Sequence, residues 1–136
     1  MLDLTPLQDT IASLERAIAV GKQMNSTDAS IREVVQAGII QNFEIVYEMC
    51  WKFMQRWLRL NQPNDVDHLR TRKDLFRLAA QHQLIQNPQA WFLYGEARNL
   101  TSHTYQKEQA TKIYYLAPQF LLDAQFLLRK IEGMND

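Results

Sequence analysis

From Ser30 to Leu60 the chain contains no proline and a single glycine, Gly38. Its apolar residues return every three or four positions: Ile31, Val34/Val35, Ile39, Phe43, Val46/Tyr47, Cys50/Trp51, Met54 and Trp57/Leu58. That spacing is the signature of one buried helical face, and a helix of this span would be roughly 45 Å long. No stretch of the chain alternates with period two, and glycine and proline each occur only four times in 136 residues. The sequence therefore predicts an all-α fold of one domain, residues 1–136, long enough to bury roughly two thirds of its unfolded surface.

The other predicted helices follow from their ends. Thr5-Pro6-Leu7-Gln8 combines a candidate N-cap, an early proline and a capping-box glutamine. It opens a helix whose apolar residues Leu4, Leu7, Ile11, Leu14 and Ile18 recur every three or four positions and which ends near Gly21 to Asn25. Asn61 to Asp65 is the clearest break, and a loop is expected to run on to about Arg70. A short helix follows from Thr71, with Leu75, Leu78 and Ala79 inward. Asn87-Pro88 marks another helix start, leading through Trp91, Phe92, Tyr94 and Ala97. A last helix covers about Glu108 to Ile131 and stops at Gly133, with a kink or break expected near Tyr115-Leu116-Ala117, because Pro118 lacks an amide hydrogen and would clash with the turn before it. The sum is an antiparallel four-helix bundle with an additional short helix. Phe43, Tyr47 and Trp51, four apart on one face, read as core or as a dimer surface, and Glu48 to Lys52 reads as an exposed ion pair.

Composition narrows the functional classes. With 46% apolar residues and a net charge of zero, the chain reads as soluble and globular. No apolar run approaches the ~20 residues of a membrane span, and Met1-Leu2-Asp3-Leu4 lacks the basic and apolar regions of a signal peptide. Cys50 is the only cysteine, so a reducing cytoplasm is expected. Charge is unevenly placed. Residues 1–51 carry three basic and seven acidic side chains, whereas residues 52–77 carry seven basic ones (Lys52, Arg56, Arg59, Arg70, Arg72, Lys73 and Arg77) against three acidic. That block is either a solvated face or a patch for a phosphate backbone or an acidic partner. No carboxylate cluster or Cys/His spacing suits a metal or another cofactor, and His68 and His82 are too far apart in sequence to form a local site.

The chemistry concentrates in Arg98-Asn99-Leu100-Thr101-Ser102-His103-Thr104-Tyr105. Arginine matches phosphate oxygens with a planar fork of donors, and histidine moves protons near neutrality. Together they suffice to break a phosphodiester without metal. In an unbroken helix, however, Arg98 and His103 would stand about 140° apart. Either the helix ends near Leu100-Thr101-Ser102 so that the groups turn inward, or two subunits complete one site. Thr101, Ser102 and Thr104 are weak helix formers, which suits an ending segment.

Arg98-x4-His103-x-Tyr105 late in a small helical bundle resembles the HEPN superfamily, specifically its HepT-like branch. The segment Gly38 to Lys52 (GIIQNFEIVYEMCWK) resembles the second-helix signature of the nucleotidyltransferase substrate-binding proteins, and Glu96 to Tyr105 (EARNLTSHTY) resembles their second signature. The resemblance implies a homodimer, with the motifs lining a cleft between subunits, and a partner, an MNT-type nucleotidyltransferase, commonly paired with it as antitoxin to toxin. It implies a metal-independent endoribonuclease acting on RNA, with transfer RNA as one candidate target. His103 would be general base or acid, Arg98 would neutralise the transition state, Asn99 would orient the phosphate, and Tyr105 would receive AMP. Two readings compete with this one: a non-catalytic substrate-binding subunit of the nucleotidyltransferase, and a helical scaffold for it.

Overall fold

The structure, a computed structural model, describes residues 1–24, 27–103 and 107–134, the side chain of His103 excepted. Six α-helices and one 3-10 turn follow in order: α1 Thr5–Gln23, α2 Ala29–Asn61, α3 Pro63–Val66, α4 Arg72–Gln81, α5 Pro88–Leu100, the turn Thr101–His103, and α6 Lys107–Met134. The predicted all-α bundle is the observed fold, with α2 as its spine: α1, α4, α5 and α6 all pack on it. No helix among the described residues is long and apolar enough to cross a membrane.

The apolar stripe of α2 explains why. Phe43, Val46, Cys50, Met54 and Leu58 are wholly buried, and α6 meets them with Ile113, Ala117, Phe120, Ala124 and Leu127. Aromatic rings knit α2, α4, α5 and α6 together edge to face. Phe43 and Phe120 lie 4.8 Å apart, Tyr94 and Phe120 4.9 Å, and Trp91 and Tyr94 5.4 Å between centroids, the geometry that ring quadrupoles favour.

Phe43 and Tyr47 are consumed by this intramolecular core, so the α2 aromatic face is not a free dimer surface. Only Trp51, half-buried, reaches the exterior.

Four local expectations are corrected. Thr5 is not the N-cap of α1. Leu4 already has helical backbone angles and is drawn into the core, so the helix begins a residue early, and Asp3 Oδ1 accepts the Thr5 N–H at 3.0 Å. The expected loop before Arg70 contains the single turn α3, anchored by buried Val66. The helix α6 runs unbroken through Pro118. Proline costs a helix about 3 kcal/mol, but Ile113 and Ala117 before it and Phe120 and Leu121 after it are all buried along one stripe, and that burial outweighs the lost bond. Finally, α6 continues through Gly133 to Met134.

Three helix ends are built from local chemistry. Thr71 and Asp74 form a capping box at the start of α4, each side chain bonding the other's backbone N–H. Its far end is closed by Gln83 at φ 65°, with the Leu84 N–H bonded to Ala79 O at 2.9 Å. Asn87 caps α5 as predicted, its Oδ1 accepting from the Gln89 N–H at 3.1 Å.

Candidate functional site

The helix α5 ends at Leu100, where the sequence placed its end, and a 3-10 turn carries the chain to His103. One residue organises that ending. The Thr101 hydroxyl donates to Arg98 O at 2.7 Å and accepts from Arg98 Nη1 at 2.8 Å. The same oxygen thus satisfies a carbonyl left open at the helix terminus and fixes the guanidinium. Thr101 is the one buried polar residue among those described. Ser102 Oγ donates to Asn99 O at 3.3 Å, while the Asn99 side chain is exposed at the surface.

Arg98 faces α2. Its Nη1 lies 3.6 Å from Glu44 Oε2 and its Nε 3.3 Å from Glu48 Oε1, all three side chains about one third exposed. The Nε contact has charge-pair distance but not hydrogen-bond geometry, so that buried N–H goes without a bond. Nη2 donates to none of the described residues. A guanidinium has five N–H donors in a rigid fork. Here Nη1 is held by Thr101 and Glu44 and Nε faces Glu48, which leaves Nη2 as the nitrogen without a partner among the described residues.

The sequence reading assigned neither Glu44 nor Glu48 to the site. Their signal was available: two carboxylates one helical turn apart on the strongly apolar α2 need a counter-cation. Glu48 does not pair with Lys52 as expected. Its Oε2 accepts from Trp51 Nε1 at 2.9 Å, and its other oxygen faces Arg98. Beneath this group lies Tyr47, whose phenol burial raises above its ordinary pKa, against the lowering pull of Arg72 and Arg98.

Of the predicted site residues, Arg98 is therefore positioned and Asn99 is exposed one residue on. His103 is the last residue of the 3-10 turn, but its imidazole, and all of Tyr105, lie outside the described residues. His68 is exposed after α3, and His82 sits at the end of α4 with Nε2 3.7 Å from Asp65. Among the described residues no group of three His, Cys, Asp or Glu side chains is arranged to hold a metal.

The same helical bundle recurs in solved structures. A Haemophilus influenzae protein described as the substrate binding domain of a nucleotidyltransferase superposes with a TM-score of 0.89 at 33% identity, covering 96% of this chain and 99% of that one. A Shewanella oneidensis HEPN toxin, solved tri-AMPylated and in complex with its MNT antitoxin, shares the fold at a TM-score of 0.69 and 21% identity, covering 98% of this chain and 99% of that one. The fold is the helical bundle these structures share.

Sequence similarity is narrower still. A Haemophilus influenzae protein named probable ribonuclease HepT is 34% identical over 98% of this chain and 94% of its own length. The family described as nucleotidyltransferase substrate binding protein like matches residues 2–133. This chain belongs to that family, in its HepT-like branch.

Proposed function

We propose that the chain is a metal-independent endoribonuclease that forms the toxin half of a pair with an MNT-type nucleotidyltransferase. The observation carrying this reading is Arg98, pinned by Thr101 on the last turn of α5 with its Nη2 unpartnered among the described residues, in a relative of a protein named probable ribonuclease HepT. The partner and its chemistry are suggested by the AMPylated HEPN toxin bound to its MNT antitoxin, which shares the fold.

In this reading His103 removes the proton from a ribose 2′-hydroxyl, and the 2′-oxygen attacks the adjacent phosphorus. The bond to the 5′-oxygen of the next nucleotide breaks, and that oxygen is protonated by an imidazolium. The products are a 2′,3′-cyclic phosphate and a free 5′-hydroxyl. Arg98 offsets the charge that builds on the phosphoryl oxygens, the kind of preorganised term that contributes most in enzyme sites, while Asn99 orients the phosphate. The working unit is a homodimer with both motifs at a shared cleft. The partner transfers AMP from ATP to the Tyr105 hydroxyl, releasing pyrophosphate. The added phosphodiester charge and bulk repel RNA from the cleft.

A second reading has its own support. Glu44 and Glu48 already surround Arg98, and a 33% identical structure is described as a substrate binding domain. Such a chain would hold an acceptor for the nucleotidyltransferase and cleave nothing.

The deciding experiment is cleavage of a transfer-RNA pool in EDTA by purified protein, with intact mass checked for AMP on Tyr105. Loss of a general acid–base typically costs a factor of about 10²–10⁴, so His103→Ala should lose nearly all activity while keeping its helical signal. No cleavage by unmodified, folded protein would transfer the assignment to the substrate-binding subunit.

A further inference from the structure

The block of cations between Lys52 and Arg77 has no part in the reaction proposed above, yet the fold sets several of its members beside two half-buried rings, Trp51 and Phe92. Arg72 Cζ stands 4.1 Å from the Trp51 ring centroid and 5.7 Å from that of Tyr47. Trp51, Arg70 and Arg72 line a shallow cleft of about 290 Å³ between α2 and the start of α4. On the other flank of α4, Lys73 Nζ and Arg77 Cζ lie 5.4 Å and 5.2 Å from the ring of half-buried Phe92 on α5. All four cations are exposed.

Their charge is barely neutralised. Asp74 is the acidic neighbour, and its Oδ2 is taken by the N–H groups of Arg70 and Thr71. Its Oδ1 pairs with Arg77 at 3.3 Å. Among the described residues, Arg70, Arg72 and Lys73 have no carboxylate within ion-pair distance.

The face is also continuous with Arg98. Trp51 Nε1 bonds Glu48, and Glu48 faces Arg98, so Arg72 and Arg98 flank one Trp51–Glu48 pair. Exposed cations alternating with ring faces are what a sequence-tolerant single-strand site requires: charge for phosphates and π surfaces for bases. An acidic protein surface would match the charge but would leave the rings and their continuity with Arg98 without a purpose.

We propose that the Trp51–Arg72 shelf and the Lys73–Arg77–Phe92 strip form a track for single-stranded RNA running away from Arg98. It rests on the ribonuclease reading and states how that enzyme's substrate is held.

The test is fluorescence anisotropy of fluorescein-labelled oligouridylate with full-length His103→Ala protein, with and without Arg72→Gln, Lys73→Gln and Arg77→Gln together. Each phosphate contact adds about 0.7 to the slope of log affinity against log salt for single strands. The triple variant should therefore show a slope shallower by about 2. Between about 50 and 200 mM KCl its affinity should fall by a factor about twenty smaller than the parent's. Arg72→Lys keeps the charge and loses the flat stack, so it should bind several-fold more weakly with an unchanged slope. Arg129→Gln on α6, outside the face, should leave both unchanged.

Equal slopes for parent and triple variant, with folding verified by circular dichroism, overturn the track, as does absence of RNA binding by the parent. If RNA binding is equal but co-elution with the nucleotidyltransferase is lost, the face belongs to a protein partner and the proposal is wrong. Cleavage by the native chain is scored separately. Cleavage with equal slopes sinks only the track, whereas a slope change without cleavage sinks only the nuclease.

Discussion

Gly95 sits one turn before Arg98 and offers a test whose sign depends on a single oxygen. A Cβ built at Gly95 would meet the Tyr47 hydroxyl at 2.8 Å, and its next neighbour would be Tyr47 Cζ at 3.7 Å. The hydroxyl is the end of a side chain, but not one free to move. Tyr47 is 1% exposed, stacked on Phe43, edge-on to Phe76 and covered by Arg72. In wild type, Gly95→Ala gains about 1 kcal/mol of helix propensity but loses about 1–3 kcal/mol to overpacking. The net is a destabilisation of up to about 2 kcal/mol.

In a Tyr47→Phe background the 2.8 Å contact is gone and the 3.7 Å one is ordinary. There the same Gly95→Ala should stabilise by close to the full propensity term, about 1 kcal/mol. The four proteins form a double-mutant cycle, read by urea denaturation at constant m-value, with an expected coupling of about 1–3 kcal/mol. Additivity to within about 0.5 kcal/mol, or stabilisation by Gly95→Ala in wild type, would show that α5 does not lie against α2 as described.

Further outcomes follow from the same reasoning. Thr101→Val removes the hydroxyl that both closes α5 and holds Arg98, so about 1 kcal/mol of stability should be lost, Thr101→Ser should retain most of it, and RNA cleavage should fall further than stability explains. Gln83→Gly relieves a left-handed residue at the end of α4 and should stabilise by about 1 kcal/mol, measured as a rise in Tm. The Tyr94 hydroxyl donates to Asp123, and Tyr94→Phe leaves that carboxylate short of a donor at a cost of about 1–2 kcal/mol, visible in chemical denaturation. Burial pushes the Cys50 thiol well above its ordinary pKa, which fixes the sign of its pH effect. The unfolded chain releases this proton first, so stability is full below about pH 8.5 and declines above it by up to about 1.4 kcal/mol per pH unit from this one group. Cys50→Ala should flatten the early part of that alkaline decline, and the native thiol should resist a disulfide reagent at pH 8.

The bundle was legible because α1 and α2 carry long apolar periodicities, and because Asn87-Pro88 and the Thr101–Ser102 region punctuate the chain with local chemistry. What misled the reading was the competition of local signals with burial. Thr5 had the right neighbours for a cap, yet Leu4 is held in the core and moves the helix start. Pro118 should have broken α6, yet buried residues on both sides hold the helix through it. The pairing of Glu48 with Lys52 followed from spacing on one helix, whereas its partners, Trp51 and Arg98, are fixed by packing. Arg98 was legible as chemistry but its surroundings were not, since Glu44 and Glu48 lie 54 and 50 residues away in sequence.

The site's geometry therefore depends on residues with no chemistry of their own. Without a side chain at Gly95, α5 can approach α2 closely enough to touch the Tyr47 hydroxyl. One turn later that approach brings Arg98 within 3.3–3.6 Å of two α2 carboxylates. Thr101 then stops the helix while gripping the guanidinium, so the backbone turns toward His103 at the place where the cation is fixed. The two carboxylates also set a threshold for any anion: a phosphate must compensate for them or approach by way of Nη2. A substrate held elsewhere on the surface, by Arg72 and its neighbours, lowers that threshold because it arrives at Arg98 already bound. On the proposed reading, the paired acidic clamp and the basic track divide the labour, with affinity provided along α4 and charge compensation reserved for the end of α5.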